Sequence, residues 1–195
     1  MEDGLGKKSN IYLKKGIKYF ILLYTIMSEK GNTLLNPTQT KWTLWAHLPH
    51  DIDWTLSSYK KILEISSIEE IVILMETLPS KMIKNCMLFL MRENIKPMWE
   101  DTKNKDGGSF SYKVPNKNIE KTWCNLSYSL VGENLAKNSE IQKIINGITI
   151  SPKKNFCVIK IWTSNCKNQD PSIITNLIDG INSEGCLFKK HNSNS

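Results

Sequence analysis

The chain has 195 residues and a formal net charge of +7, with 40% hydrophobic and 23% charged residues. This length and balance fit one folded domain and exclude an acidic disordered chain, a membrane-spanning protein and a disulfide-knotted peptide. Of the 26 lysine and arginine residues only Arg92 is an arginine. The basic excess therefore consists of flexible point charges, which suit phosphates better than base edges.

The first 30 residues look like an extension that a turn-rich linker joins to the domain. Lys14, Lys15 and Lys18 precede the apolar run Tyr19–Met27, as in a secretory signal. The run is far shorter than the roughly 20 residues that span a bilayer, and no small-residue cleavage site follows it. We predict instead that this segment docks on the domain. The predicted boundaries are 1–35 for the extension, 36–191 for the domain and 192–195 for a tail.

Hydrophobic patterns predict alternating strands and helices in this domain. Lys41–Leu48 has the period of a strand, and Ser67 with Glu70 forms a capping box that opens a helix closed by Pro79. A second helix is predicted over Asn118–Leu130, with Gly132 as its stop, and a last one from Asp170-Pro171 onward. The other predicted strands are Met87–Arg92, Ser109–Val114, Gly147–Ser151, Phe156–Thr163 and Cys186–His191. The fold class is α+β, a curved antiparallel sheet with about three helices on its convex face.

Catalytic motifs are absent from the sequence, which has no Gly-x-Ser-x-Gly, Walker A, Gly-x-Gly-x-x-Gly or His-Glu-x-x-His pattern. Its five cysteines form no Cys-x-x-Cys pair, so neither a zinc site nor a disulfide framework is indicated and a reducing compartment is expected. His47, His50, Asp51 and Asp53 could be imagined as a metal cluster, but such a group in a turn is usually solvated surface. We therefore predict a binding protein without metal or cofactor, not an enzyme.

The six tryptophans divide by their surroundings. Trp42 and Trp123 lie on apolar stripes and are expected in the core. Trp54 and Trp99 lie in polar, loop-like stretches, where a large ring is a candidate platform for stacking. Glu100, next to Trp99, offers two acceptor oxygens to a purine edge or to a pair of N–H groups on a partner.

The stretch Phe156–Thr163 has one purely apolar face, which is expected in the core. Lys160 and Trp162 point together to the opposite face, and the turn before them carries Lys153 and Lys154. A ring beside several ammonium groups suits a nucleotide whose base stacks while its phosphates lie alongside.

The domain resembles the eukaryotic translation initiation factor 4E family, the mRNA cap-binding proteins. The resemblance is carried by Lys96-Pro97-Met98-Trp99-Glu100-Asp101-Thr102-Lys103-Asn104-Lys105-Asp106-Gly107-Gly108, which is similar to the family's signature segment. Shorter matches in the same order are Lys41-Trp42-Thr43-Leu44-Trp45, Trp123 with Val131-Gly132-Glu133, and Ile161-Trp162-Thr163. The resemblance covers residues 36–168 well, the C-terminal strand weakly and residues 1–30 not at all.

The resemblance implies a cupped sheet that binds 7-methylguanosine on its concave face and a partner protein on its helical back. It implies that Trp54 and Trp99 sandwich the base and that Trp162 contacts the N7-methyl group. Glu100 is implied to accept hydrogen bonds from guanine N1–H and the N2 amino group. Methylation makes the ring cationic, so stacking gains a cation–π contribution on the order of 0.5–2 kcal/mol.

Three positions depart from the phosphate-binding pattern of the family. The arginine that the family has after the Gly-Gly pair is replaced by Ser109 in this chain. A second arginine of the family pattern is replaced by Ser151 or Pro152. The lysine four residues before the methyl-contacting tryptophan is replaced by Val158, although Lys160 lies on the same face and could substitute for it. The phosphate-binding residues predicted here are therefore all lysines: Lys153, Lys154 and Lys160.

The partner-binding surface implied by the resemblance is also altered. The family presents an exposed tryptophan on its first helix to partners with a Tyr-x-x-x-x-Leu-hydrophobic motif, and this position is Val72 here. The helix still has surplus apolar residues, which predicts a surface covered by a partner or by the N-terminal extension. The predicted partner-binding residues are Pro37, Ile68, Val72, Cys124 and Tyr128.

The leading prediction is a cytoplasmic protein that binds capped mRNA and promotes translation initiation. It is expected to be a monomer within a complex. Its expected partners are a scaffold resembling initiation factor 4G and, through that scaffold, an RNA helicase, and no association with a membrane is expected. Two alternatives remain open: a cap-binding repressor that does not engage the scaffold, and a general single-stranded RNA-binding or protein-interaction module. The lysine-, isoleucine- and asparagine-rich usage is compatible with a large DNA virus, acting in the host cytoplasm, or with an AT-rich protist.

Overall fold

A computed structural model describes residues 35–49, 51–174, 178–181 and 183–192. Within these ranges seven strands form one antiparallel sheet, in the order β2-β1-β3-β5-β6-β4-β7. The strands are β1 Pro37–His47, β2 Lys60–Ser67, β3 Met87–Arg92, β4 Gly108–Pro115, β5 Ile145–Pro152, β6 Phe156–Thr163 and β7 Leu187–Lys190. The predicted α+β class, a curved antiparallel sheet with helices on its convex face, is confirmed.

Four α-helices lie in the described part of the chain, where about three were expected: α1 Ile68–Thr77, α2 Ser80–Asn85, α3 Ile119–Val131 and α4 Ser139–Ile144. The central helix is α3, which packs against α1, α2 and the strands β1 and β5. Its predicted stripe is fully buried, and Gly132 follows its last residue as the C-cap. None of the helices described is long and apolar enough to cross a membrane.

The first helix starts as its capping box predicts. The Ser67 hydroxyl accepts a hydrogen bond from the Glu70 N–H, and the Glu70 carboxylate accepts one from the Ser67 N–H at 3.0 Å. Pro79 follows the end of α1, as expected, but it is also the N-cap of α2. Helix α2 was not predicted, because Pro79 was interpreted only as a helix stop, whereas a proline is also compatible with the start of a helix.

The prediction of a helix from Asp170 onward is wrong for the described residues that follow it. The Asp170 carboxylate accepts a hydrogen bond from the Ser172 N–H at 2.8 Å, but it caps only the single 3₁₀ turn Pro171–Ile173. The turn ends because Ile174 is extended and forms a β-bridge with Ala136. The apolar run Tyr19–Met27 lies outside the described residues, so its docking stays a prediction.

Apolar residues are buried on both faces of the sheet. Trp42 and Trp123 are fully buried on the helical side, as predicted. A separate group on the opposite face, here called the concave-face cluster, consists of Tyr59, Phe89, Met91, Ile95 and Trp162, with Trp45, Met87 and Met98 packed against it. This face of the sheet therefore has its own buried apolar cluster, against which residues of the neighbouring loops pack.

Arg92, at the end of β3, is bound inside the fold. Its guanidinium donates to both carboxylate oxygens of Glu133, at 2.6 and 2.9 Å, and to the Ile145 carbonyl at 3.2 Å. Its Cζ lies 4.4 Å from the centroid of the Trp42 ring. Glu133 has a left-handed backbone with φ of 55°, which costs a non-glycine residue about 1 kcal/mol or more. This carboxylate also accepts from the Gln142 amide at 3.0 Å.

Candidate functional site

Trp54 lies in the loop between β1 and β2, where His47 supports one face of its ring. The two rings are stacked, with centroids 4.2 Å apart and an interplanar angle of 3°. His47 is only 2% exposed, donates from Nε2 to the Asp53 carbonyl at 2.8 Å and meets the Tyr59 ring edge-on. Trp54 nevertheless remains 53% exposed. It is a fixed platform with free surface, and His47 is a positioning residue that the sequence analysis had not assigned.

The carboxylate of Asp53 orders the same loop. It accepts hydrogen bonds from the Thr55 N–H at 2.8 Å, the Thr55 hydroxyl at 2.9 Å and the Ser57 hydroxyl at 3.2 Å. These bonds, led by the one from the Thr55 N–H, hold the pKa of Asp53 below its usual value. No group of three or more potential ligands suited to a metal occurs among the residues described, which do not include His50.

Trp99 and Glu100 lie in the loop between β3 and β4, which Asn104 holds in place. The buried Asn104 amide donates to the carbonyls of Lys96 at 3.0 Å and Met98 at 2.8 Å. Met98 packs on the concave-face cluster, whereas Trp99 is 51% exposed. The loop therefore packs the Met98 side chain against the sheet and exposes the indole ring of Trp99 to solvent.

Glu100 lies close enough to Tyr59 to affect its titration. Burial, and then the charge of Glu100, raise the pKa of Tyr59 to about 12. Tyr59 also contacts the His47 ring that carries Trp54. The structure thus brings Trp54, Trp99 and Glu100 to the border of a single cluster, although they come from two loops far apart in the chain.

Trp162 and Lys160 share a face of β6, as the alternation predicts, but they differ in burial. Trp162 is only 7% exposed, because it forms part of the concave-face cluster, and Lys160 is half-buried. Burial, and then the charges of Lys189 and Lys153, lower the pKa of Lys160. Lys154 is exposed at the next position of the turn, where its carbonyl lies 3.5 Å from the Asn116 amide nitrogen.

Lys189 on β7, and His191 just after the end of this strand, lie on the side of Trp162 and were not singled out from the sequence. The His191 ring is tilted over Trp162, with centroids 4.6 Å apart, and its Nδ1 lies 2.7 Å from the Asn104 carbonyl oxygen. The available signal was the predicted strand Cys186–His191, whose alternation puts Lys189 and His191 on one face. Its partner strand was not evident from the sequence.

The predicted partner-binding residues lie on the helical side, around the packed helices α1 and α3. Three of them are exposed apolar or aromatic side chains: Ile68 at 39%, Val72 at 37% and Tyr128 at 37%. Pro37 is exposed at the start of β1, and Cys124 is half-buried. Burial, and then the neighbouring Cys124 and Glu76, raise the pKa of Tyr128. The surplus of apolar residues on α1 is therefore a real exposed patch.

Comparison with known proteins gives relatives along most of the described domain. The family profile described as eukaryotic initiation factor 4E matches residues 37–195. Initiation factor 4E-2 of Schizosaccharomyces pombe is 28% identical over 158 residues, covering 76% of this chain and 62% of that protein. The factor 4E of Eremothecium gossypii is 29% identical over 154 residues, covering 73% of this chain and 70% of that protein. The chain thus spans less than two thirds of the fission-yeast relative.

Solved structures agree with this result. The complex of C. elegans eIF4E-3 with the 4E-binding protein Mextli and a cap analogue has a TM-score of 0.61 at 25% identity, covering 68% of this chain and 76% of that one. Schistosome eIF4E complexed with m7GpppG and 4E-BP has the same fold, with a TM-score of 0.61 at 23% identity, covering 69% of this chain and 75% of that one.

Indole rings and a carboxylate in two loops, with lysines on the sheet beside them, form an arrangement typical of a ligand-binding site. The chain belongs to the eukaryotic initiation factor 4E family. The proteins of this family bind their ligand rather than transform it, so the prediction that this chain is not an enzyme is confirmed.

Proposed function

We propose that this chain binds the 7-methylguanosine cap of mRNA by stacking the base between Trp54 and Trp99, and that it promotes translation initiation in the cytoplasm. One observation carries the proposal: two indole rings, 53% and 51% exposed, border the same buried cluster beside a carboxylate. Large rings held at the surface by specific contacts are typical of a binding site. The cap ligands present in solved complexes of similar proteins support the same function.

Selectivity for the methylated base follows from charge. A 7-methylguanine ring is cationic, so each indole face attracts it by about 0.5–2 kcal/mol more than a neutral ring. Glu100 accepts hydrogen bonds from N1–H and the N2 amino group, and these are stronger when the ring is charged. Trp162 then lies towards the methyl group, and Lys160 and Lys153 receive the phosphates.

The test compares 7-methyl-GTP with GTP by quenching of tryptophan fluorescence. We expect the wild-type protein to prefer 7-methyl-GTP by about 100-fold, from the combined cation–π and charge-assisted hydrogen-bond contributions. Glu100→Gln is expected to lose about tenfold or more in affinity for 7-methyl-GTP, whereas Glu93→Gln, at the start of the same loop, keeps the wild-type value. Equal affinity of the wild type for both nucleotides would contradict the proposal.

A second candidate function is repression by a cap-binding protein that does not engage the usual scaffold. The observation that favours it is Val72, which exposes 37% of a small side chain where the family resemblance implies a tryptophan. In the main proposal the patch around Val72 and Tyr128 binds a scaffold resembling initiation factor 4G, which in turn carries an RNA helicase.

Affinity purification of the full chain from translating cells distinguishes these two functions. If the chain promotes initiation, it will co-purify with a scaffold and a helicase, and Val72→Asp will remove both without affecting retention on cap resin. A chain that is retained on cap resin but brings down neither protein acts as a repressor. The control is Glu140→Lys, an exposed change on α4, outside the patch.

A further inference from the structure

A row of paired residues crosses three neighbouring strands beside the proposed cap site. Ser109 on β4 pairs with Trp162 on β6 on one side and with Lys189 on β7 on the other. Paired residues in adjacent strands lie on the same face of a sheet. On the other face of β7 the Phe188 ring packs edge-on against the buried Phe110, with centroids 4.8 Å apart, so Lys189 points away from the helices.

This row places a positive charge next to the position where the family pattern has an arginine. Ser109 is a short, uncharged and buried residue, so this position itself supplies no charge to a phosphate. Lys189 is exposed on the neighbouring strand and near enough to Lys160 to affect its titration. The charge missing at position 109 is therefore present one strand further towards the edge of the sheet.

His191, two residues along the same face, has a fixed tautomer. Its Nδ1 lies 2.7 Å from the Asn104 carbonyl oxygen, and a carbonyl can only accept, so Nδ1 carries the hydrogen. In the neutral ring Nε2 is then a lone-pair acceptor. This atom is buried and has no hydrogen-bond partner among the described residues. An atom so placed can donate to an anion only when the ring takes up a proton.

We infer that Lys189 and His191 are phosphate-binding residues of the cap site, and that His191 takes up a proton when the phosphate chain binds. The inference rests on the proposed function and assigns the edge strand to it. Lys189 supplies the charge that Ser109 lacks, and protonated His191 donates from Nε2 while its Nδ1 bond to Asn104 is kept. Nucleotides with a phosphate chain are therefore the ligands affected, and the nucleoside is not.

The charges around His191 determine the sign of the pH effect. The charge acting on His191 is that of Lys160 on β6, two strands away, and Lys160 is itself near Lys189 on β7 and Lys153 in the turn before β6. The loop before β4 presents the Asn104 carbonyl. Burial lowers the pKa of His191, the bond to Asn104 raises it and Lys160 lowers it, so the free ring is neutral at pH 7. A bound phosphate reverses this balance, so affinity rises as the pH falls through the pKa of the bound state.

The experiment measures the affinity for 7-methyl-GTP and for 7-methylguanosine between pH 8 and pH 6. The variants are His191→Gln, Lys189→Gln and the control Lys190→Gln, whose residue is on the other face of β7. At pH 6 the wild type should bind 7-methyl-GTP more tightly than His191→Gln does. The ratio of the two affinities should fall by about threefold to tenfold for each unit by which the pH rises. Comparing the two proteins cancels the titration of the nucleotide itself.

Two further readouts separate binding from a structural role. The pKa of His191, followed by NMR, should rise on addition of 7-methyl-GTP and not on addition of 7-methylguanosine. Lys189→Gln should weaken 7-methyl-GTP binding by about fivefold at low salt, with nucleoside binding and thermal midpoint as in Lys190→Gln.

This inference alone is overturned if the wild type binds 7-methylguanosine, the pKa of His191 does not change on addition of 7-methyl-GTP, and Lys189→Gln and Lys190→Gln bind 7-methyl-GTP equally well. Failure of the wild type to bind 7-methylguanosine overturns the proposed function and this inference with it.

Discussion

Replacing Trp99 by alanine is expected to weaken the binding of 7-methyl-GTP by about 100-fold. Stacking on an aromatic side chain contributes about 1–3 kcal/mol per base, and the cationic ring adds about 0.5–2 kcal/mol. Trp54→Ala should have an effect of the same size, because each ring covers one face of the base. Fluorescence is compromised in these variants, so isothermal titration calorimetry is the appropriate measurement.

Neither change should unfold the protein or lower its thermal midpoint markedly, since the two rings are about half exposed. Ile52→Ala is a matched control, because Ile52 is a hydrophobic side chain of the Trp54 loop and is 90% exposed. It should bind 7-methyl-GTP as the wild type does. If Trp99→Ala binds as tightly as Ile52→Ala, the indole of Trp99 does not contact the ligand and the stacking arrangement is wrong.

The largest loss of stability is expected from Glu133→Gln. The Arg92 and Glu133 side chains are only 20% and 10% exposed, so removing the carboxylate leaves a desolvated guanidinium without its partner. Breaking such a pair costs about 3–5 kcal/mol. The free energy of unfolding, measured by urea denaturation, should fall by this amount, and the thermal midpoint by roughly 10 °C.

The control for this prediction is the surface ion pair between Lys121 and Asp179. Its side chains are 70% and 75% exposed, so Asp179→Asn should cost less than about 1 kcal/mol. A loss in Glu133→Gln no greater than in Asp179→Asn would show that the buried pair contributes nothing. Affinity for 7-methyl-GTP should survive in Glu133→Gln below its melting point, since the single arginine of this chain lies away from the proposed phosphate site.

Local patterns predicted much of the fold. The strands Met87–Arg92 and Phe156–Thr163 were predicted to the residue, because the first is an apolar run too short for a typical helix and the second has one purely apolar face. In the same way, the capping box located the start of α1 and Gly132 located the end of α3. The strand β2 was missed, since its sequence lacks alternation and is decided by pairing with β1.

The site could be predicted only where a residue stands out against its own surroundings. Trp54 and Trp99 were predicted as candidate platforms because large rings in polar loops are unusual, and both rings are indeed exposed. His47, Lys189 and His191 were missed because their surroundings are non-local: a stack across a loop, a row across three strands and a carbonyl from the loop before β4. Trp162 was assigned to the correct face, but its burial depends on Phe89 and Met91, which the sequence does not place beside it.

The pairing of β7 with β4 has a consequence for the order in which the site is completed during synthesis. A ribosome releases the loops of Trp54 and Trp99 well before residues 187–191, and β7 must then close a long-range contact, which is slow relative to local structure. On the proposed function, the nascent chain therefore has its two stacking rings, Lys153 and Lys160 before it has the phosphate-binding residues of the edge strand, Lys189 and His191. Tight attachment to a capped message, including the one being translated, is thereby delayed until the edge strand has docked.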